Sequence, residues 1–354
     1  MTDLTTTGVL LYVLTFLTAW MLVGYLTPLT MRVAINFKIQ DTPDGRLKKH
    51  LNPTPYLGGL ALAASFIITY SVWSTGETAN VKALGVLAGG FMMLMLGLYD
   101  DLVNLSPGVK FMGQILAAIV LWKAGIRISY VSDHPLLTSF AQYGIPINLI
   151  LTLLWVTLVT NAFNIIDVMD GMATGVALIA CCFLFVISLG AGDEPVVPFM
   201  ALVLAGALAG FLKFNFAPAH IFLGDTGSLF IGFMLASLSL LVSYTESSRI
   251  AVTTPLILLA VPLFDTGFVA WHRARKGIPF FRGSPDHFVL RMVHAGRSVR
   301  STAFAVYRAS ILLGIISMLL VFGNPDWTPY EVGLVIALVL FAFFRLSRLP
   351  APAA

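Results

Sequence analysis

Charge is scarce in this chain. Asp, Glu, Lys and Arg make up 11% of its 354 residues against 58% for the apolar types, and the mean hydropathy is +0.90. That balance excludes a soluble globular protein and predicts an all-α polytopic membrane protein. Cysteine is nearly absent as well. Cys181 and Cys182 sit side by side in an apolar segment, which reads as packing and offers no disulfide framework or thiolate metal site. Met1 to Gly8 carries no Lys or Arg ahead of the first apolar run; this argues against a cleaved signal peptide and predicts a retained first helix. No convincing internal repeat is visible, which weakens a transporter reading. No stretch breaks away in composition, so a single membrane domain over 1–354 is expected.

What is present is a series of apolar runs. About eleven are long enough, or nearly so, to cross the hydrocarbon layer as helix: 8–31, 57–75, 81–99, 109–125, 146–166, 172–190, 195–214, 227–245, 250–271, 303–322 and 329–346. The 126–145 stretch reads as an irregular or short extended loop. Numbering loops from the first span places Arg32, Lys38, Arg46, Lys48, Lys49, Lys110, Lys213, Arg273, Arg275, Lys276, Arg282, Arg291, Arg297, Arg300, Arg308, Arg345 and Arg348 on one side. The other side receives only Lys82, Lys123, Arg127 and Arg249. The basic side is predicted to be cytoplasmic, with the N-terminus outside and the C-terminus inside. The cytoplasmic loops then fall near 32–56, 100–109, 167–172, 213–227 and 272–302.

The unusual polar residues gather on that same side. Asp100 and Asp101 follow the apolar run Val81 to Tyr99; adjacent carboxylates repel, and are tolerated in water, beside a cation or around a metal. Asn161, Asn164, Asp167 and Asp170 recur at i,i+3 in NAFNIIDVMDG, which predicts one polar helical face turned to a cavity. Asn215, Phe222 and Asp225 lie in KFNFAPAHIFLGDTGS, where Asp225 could also be an ordinary helix cap. Asp286, His287 and Arg291 lie in SPDHFVLRM, whose bland alternative is an amphipathic loop helix, and Asp265 sits inside the ninth span. Four segments thus bring carboxylates or a His to one leaflet beside basic loops. Oxygen ligands suit Mg²⁺, and neighbouring Lys and Arg suit a phosphate-bearing substrate. The residues alone predict a cytoplasm-facing Mg²⁺ site acting on phosphate esters at the bilayer surface.

LYDDL, NAFNIIDVMDG, FNFAPAHIFLGDTGS and KKHLNPTPYLGG together resemble the polyprenyl-phosphate N-acetylhexosamine-1-phosphate transferases, from about residue 40 to 300 and in family order. That superfamily includes the enzymes that start O-antigen and teichoic-acid lipids, and the phospho-MurNAc-pentapeptide translocase. The resemblance implies transfer of a sugar-1-phosphate, most readily GlcNAc-1-phosphate, from a UDP-HexNAc to undecaprenyl phosphate, releasing UMP. This would be the first membrane step of a cell-envelope glycan, cell wall or lipopolysaccharide, in the bacterial inner membrane. It implies Mg²⁺, or Mn²⁺, as cofactor. The implied partners are the UDP-sugar, undecaprenyl phosphate and membrane lipids; a homodimer is compatible and no nucleic acid is expected.

By the same resemblance Asp100 helps deprotonate or position the lipid phosphate, and Asp225 is the metal ligand, assisted by Asp101, which stands near the metal and pyrophosphate. Asn164, Asp167 and Asp170 line the nucleotide-sugar pocket, with Asn215 and Phe222 beside the uracil. Lys48 or Lys49 contacts nucleotide or phosphate, and Asn161 and Asp265 support the site. Where relatives carry several histidines, SPDHFVLRM offers only His287, so His287 with Arg291 is left to bind the pyrophosphate. That departure, and DVMDG in place of DGLDG, point away from MurNAc-pentapeptide, which remains the alternative substrate. Direct attack of the lipid phosphate on the β-phosphorus is preferred to a two-step route through Asp100. The reading from another class is an ion-coupled transporter or flippase, which would place its acids near the bilayer midplane.

Overall fold

The computed structural model describes residues 6–41, 53–128, 147–242, 244, 252–279 and 285–351. Each predicted apolar run has a helical counterpart. In chain order these are α1 (Thr6–Asn36), α2 (Gly58–Trp73), α3 (Val81–Val103), α4 (Pro107–Lys123), α5 (Ile147–Ile166), α6 (Met172–Gly190) and α7 (Val196–Asn215). They continue with α8 (Gly224–Leu241), α9 (Thr254–Leu258), α10 (Ala260–Arg275), a short α11 (Phe288–His294), α12 (Val299–Phe322) and α13 (Thr328–Ser347). Among the described residues eight helices are long and apolar enough to cross a membrane. α2 and α10, at 16 residues, and α4, at 17, are shorter.

The expected ninth span is broken in two. α9 ends at Leu258 and α10 starts at Ala260. Pro262 has no N–H to give the carbonyl one turn earlier, so the ladder is interrupted there. The loop expected over 126–145 lies outside the described residues from 129 onward, as does the 42–52 segment that carries Lys48 and Lys49.

α8 is the centre of the bundle. Every residue from Thr226 to Ser239 is buried, as expected for a helix apolar on all sides. It packs on α2, α3, α5, α6 and α7. Small residues allow the closest of these approaches: a Cβ on Gly97 of α3 would stand 2.3 Å from the Asp225 carbonyl oxygen. α13, by contrast, buries only Thr328 and Val335. A two-residue antiparallel pair, β1 (Gln40–Asp41) with β2 (Thr54–Pro55), closes the segment between α1 and α2. β2 leads straight to the start of α8. Pro55 O accepts from Phe222 N at 2.8 Å, and Gly58 N and Gly59 N donate to Phe222 O and Leu223 O at 3.1 and 2.9 Å.

Candidate active site

The GDTGS string is the first turn of α8. Gly224 has φ +72°, where an L side chain is strained. A Cβ there would also stand 2.6 Å from Asp101 Oδ2 and 2.7 Å from Tyr56 O. A helix start leaves its N–H groups unpaired, and Asp101 from α3 supplies the missing acceptors. Asp225 N donates to Asp101 Oδ1 at 2.9 Å, and Thr226 N and Thr226 Oγ1 both donate to Oδ2, at 3.0 and 2.5 Å. That occupies three of about four lone-pair positions on the carboxylate. Asp225 does not cap its own helix.

Asp100 turns elsewhere, because successive residues on a helix lie about 100° apart. It is 4% exposed, and its Oδ1 accepts from Leu105 N at 2.7 Å. Its Oδ2 forms an ion pair with Lys110 Nζ. The same ammonium meets Asp225 Oδ2 at 2.6 Å. Asn164 Nδ2, from α5, lies 2.9 Å from both Asp225 Oδ1 and Ser228 Oγ. Two acids from α3 and α8 are therefore joined by an ammonium from α4, and an amide from α5 ties the second of them, Asp225, to Ser228. Behind them Asn161 pairs with Gln114 of α4 through Nδ2 to Oε1 at 2.5 Å.

Asn161, Asn164, Asp167 and Asp170 do not share one helical face. α5 ends at Ile166, and the two acids lie in the turn before Gly171, whose φ is +72°. Asp167 is half-buried there. Burial, then repulsion from Asp225, Asp101 and Asp170, pushes its carboxyl up to about 8, the mark of concentrated negative charge. Asp170 Oδ2 accepts from Ala219 N at 2.9 Å. Asn215 is buried, with Oδ1 accepting from Thr174 Oγ1 at 2.7 Å and Nδ2 donating to Ile221 O at 3.1 Å. α12 braces both loops: Tyr307 Oη donates to Gly171 O at 2.6 Å, and Arg300 Nε donates to Ala217 O at 2.8 Å.

A second buried group surrounds α11. Asp265 of α10 has its partner in His287, with Nδ1 and Oδ2 2.8 Å apart, and also accepts from Phe288 N at 3.2 Å. An Nδ1 proton donated to Asp265 leaves Nε2 available as acceptor. Arg291 is held inside the protein: Nη2 donates to Asp286 Oδ1 at 3.1 Å and Nη1 to Ser347 O and Leu349 O at 3.4 and 3.3 Å. Lys276 Nζ completes this group on Asp286 at 2.7 and 2.9 Å.

The structure thus groups Asp100, Asp101, Asn164, Asp167 and Asp225, and separately Asp265 with His287 and Asp286 with Arg291. Lys48 and Lys49 lie outside the described residues. Sequence reasoning missed Lys110, Thr226, Tyr307 and Arg300. Lys110 left one usable signal, a lone cation at the head of an apolar span ten residues after Asp100. Among the described residues no three His, Cys, Asp or Glu side chains close on one point. The donors that converge are oxygens, and Mg²⁺ needs only one or two carboxylates when phosphates and waters complete its shell, so the Asp100–Asp225 pair fits that ion.

Residues 83–243 match the model of glycosyl transferase family 4. A Bacillus subtilis (strain 168) protein described as a probable undecaprenyl-phosphate N-acetylglucosaminyl 1-phosphate transferase is 33% identical over 87% of this chain and 84% of its own. A decaprenyl-phosphate N-acetylglucosaminephosphotransferase of Mycolicibacterium smegmatis is 32% identical over 94% and 88%. A phospho-N-acetylmuramoyl-pentapeptide-transferase of Staphylococcus haemolyticus is 27% identical over 87% and 98%. This chain belongs to glycosyl transferase family 4, the family of the polyprenyl-phosphate N-acetylhexosamine-1-phosphate transferases, and is a multi-pass membrane enzyme.

Proposed function

We propose that this enzyme transfers GlcNAc-1-phosphate from UDP-GlcNAc to undecaprenyl phosphate, releasing UMP, in one membrane domain of eleven crossings whose site faces the cytoplasm. The observation that carries the reading is the ionic bridge Asp100–Lys110–Asp225, assembled from three helices at the end of a buried bundle. Phosphoryl transfer asks the protein mainly for placement and charge neutralisation. Asp225 and Asp100 would hold the metal; Asp101, expected to assist Asp225 at the ion, has its oxygens on the helix start that carries Asp225 and would fix that turn. When bound there, Mg²⁺ would supply positive charge against the diphosphate and the departing UMP. Asp100 orients the lipid phosphate or takes its proton, and Lys110 passes from the acids to a phosphate oxygen as substrate enters. Asp167 and Asp170 set the wall of the nucleotide pocket. Asn215 acts by shaping the loop that carries Phe222. His287, fixed by Asp265, can bind the pyrophosphate when both ring nitrogens carry a proton, Nδ1 donating to Asp265 and Nε2 to a phosphate oxygen, and Arg291 holds α11 in place. The GlcNAc assignment draws on the two N-acetylglucosamine relatives and on DVMDG.

The test is UMP release from purified enzyme given Mg²⁺, undecaprenyl phosphate and a panel of UDP-sugars. Release with UDP-GlcNAc and its loss on chelation are expected. Release with UDP-MurNAc-pentapeptide alone would reassign the donor, and no Mg²⁺-dependent release with any sugar would sink the reading.

A further inference from the structure

Away from the acid cluster, α6 and α12 enclose an open groove of about 590 Å³, lined by Ile179, Ser301, Phe304, Tyr307, Arg308 and Ile311. Four of the six, Ser301, Phe304, Arg308 and Ile311, recur at i, i+3, i+7 and i+10, which puts them on one face of α12. Phe304 and Ile311 are exposed, as suits a face toward hydrocarbon. Arg308 breaks that pattern. It is exposed, lies about 14 Å along α12 from Val299, and makes no ion pair or hydrogen bond among the described residues. That position falls inside the expected span 303–322, where an unpaired arginine facing lipid is expensive without an anion. Helical side chains lean toward the N-terminus, so the guanidinium swings toward Ser301, whose hydroxyl is likewise without a protein partner among the described residues.

We infer that this groove binds an anionic phospholipid, its phosphate on Arg308 and Ser301 and one acyl chain along Ile179, Phe304 and Ile311. An arginine fork matches a phosphodiester, and a hydroxyl seven residues earlier can donate to the same group. The polyprenyl substrate is the weaker occupant. α12 packs on α6, α9, α10, α11 and α13, whereas the acids and Lys110 belong to α3, α4 and α8, and the groove itself opens on α6, away from α11. A chain seated here rests on Tyr307, whose hydroxyl holds Gly171, so the lipid backs the loop of Asp167 and Asp170 without entering the site. The inference does not depend on which sugar is transferred.

Native mass spectrometry of the delipidated full chain, titrated with phosphatidylglycerol or phosphatidylcholine, tests it. Wild type should retain phosphatidylglycerol at least about fivefold better, the factor one arginine contributes at an anionic surface. Arg308→Gln should erase the preference and Arg308→Lys keep most of it. Ile311→Trp should lower retention with the charge intact, and carries the test if Arg308→Gln fails to fold. Equal retention of both lipids by wild type, or retention of phosphatidylglycerol by Arg308→Gln at the wild-type level, overturns the inference. So does one-for-one displacement of the bound lipid by undecaprenyl phosphate, which would give the groove to the substrate.

Discussion

Lys110 resolves the repulsion between Asp100 and Asp225 by standing between them, and this makes it the most exposed point of the proposed chemistry. With Lys110→Ala the two carboxylates face each other with no fixed cation, and the phosphate oxygen proposed to meet Lys110 loses its charged donor. UMP release should fall at least about a hundredfold, the usual scale for removing one charge-stabilising group. Asp225→Ala and Asp100→Asn should abolish it with expression intact; turnover within threefold of wild type in any of the three would remove that residue from the site. Asp167 offers a test that needs no substrate. Its folded pKa of about 8 lies above the ordinary 3.8, so between those values the folded protein keeps a proton that the unfolded chain has released. Stability then falls as pH rises through that window. In chelator, the thermal midpoints of wild type and Asp167→Asn should lie close near pH 4 and separate in favour of the variant by pH 8. A gap independent of pH would mean that Asp167 is not held neutral.

At the scale of the element, the start of α8 is where several segments meet. Asp101 from α3 caps it, Gly97 lets α3 come close, and the β2 segment pairs with the loop before it. Gly224→Ala tests this junction, since the new Cβ meets Asp101 Oδ2 in a backbone region that costs an L residue about 1–2 kcal/mol by itself. The variant should melt lower and lose UMP release together, because the cap and the placement of Asp225 depend on one turn. A variant that melts as wild type does and turns over normally would show that the junction tolerates displacement. The helices were legible because apolar runs of membrane length have one stable outcome in lipid. Their ends were not. Periodicity carried Asp167 and Asp170 onto α5, but Gly171 and the Asp170–Ala219 hydrogen bond close a turn there. A cap supplied from 124 residues away leaves no local mark beside GDTGS, so Asp101 read as part of an acid pair and not as the partner of α8.

For the whole molecule, the two ends of α3 state the arrangement. At one end Lys82 pairs with Glu194 at 2.6 Å and Asn80 reaches the same carboxylate at 3.3 Å, joining the turns before α3 and α7. At the other end, Asp100 and Asp101 enter the acid cluster. The 23 residues of α3 separate these ends by about 33 Å, roughly the hydrocarbon thickness. That Asp100, Asp101 and Asp225 meet was legible from sequence because it requires only the order of the spans, whereas the pairing of Lys110 with Asp100 and Asp225 requires the packing. The excess of Lys and Arg in the loops expected on the side of the acid cluster argues for the proposed cytoplasmic site, and that proposal predicts which turn meets the outside. With Cys181 and Cys182 replaced by alanine, Gly76→Cys reports the turn between α2 and α3, where a Cβ meets nothing within 4 Å. Ser106→Cys reports the turn beside Asp100. A membrane-impermeant maleimide added to intact cells should label the first and spare the second, and disrupting the membrane should expose both. Labelling of Ser106→Cys but not Gly76→Cys in intact cells would invert the molecule, placing the acids where no cytoplasmic nucleotide sugar could reach them.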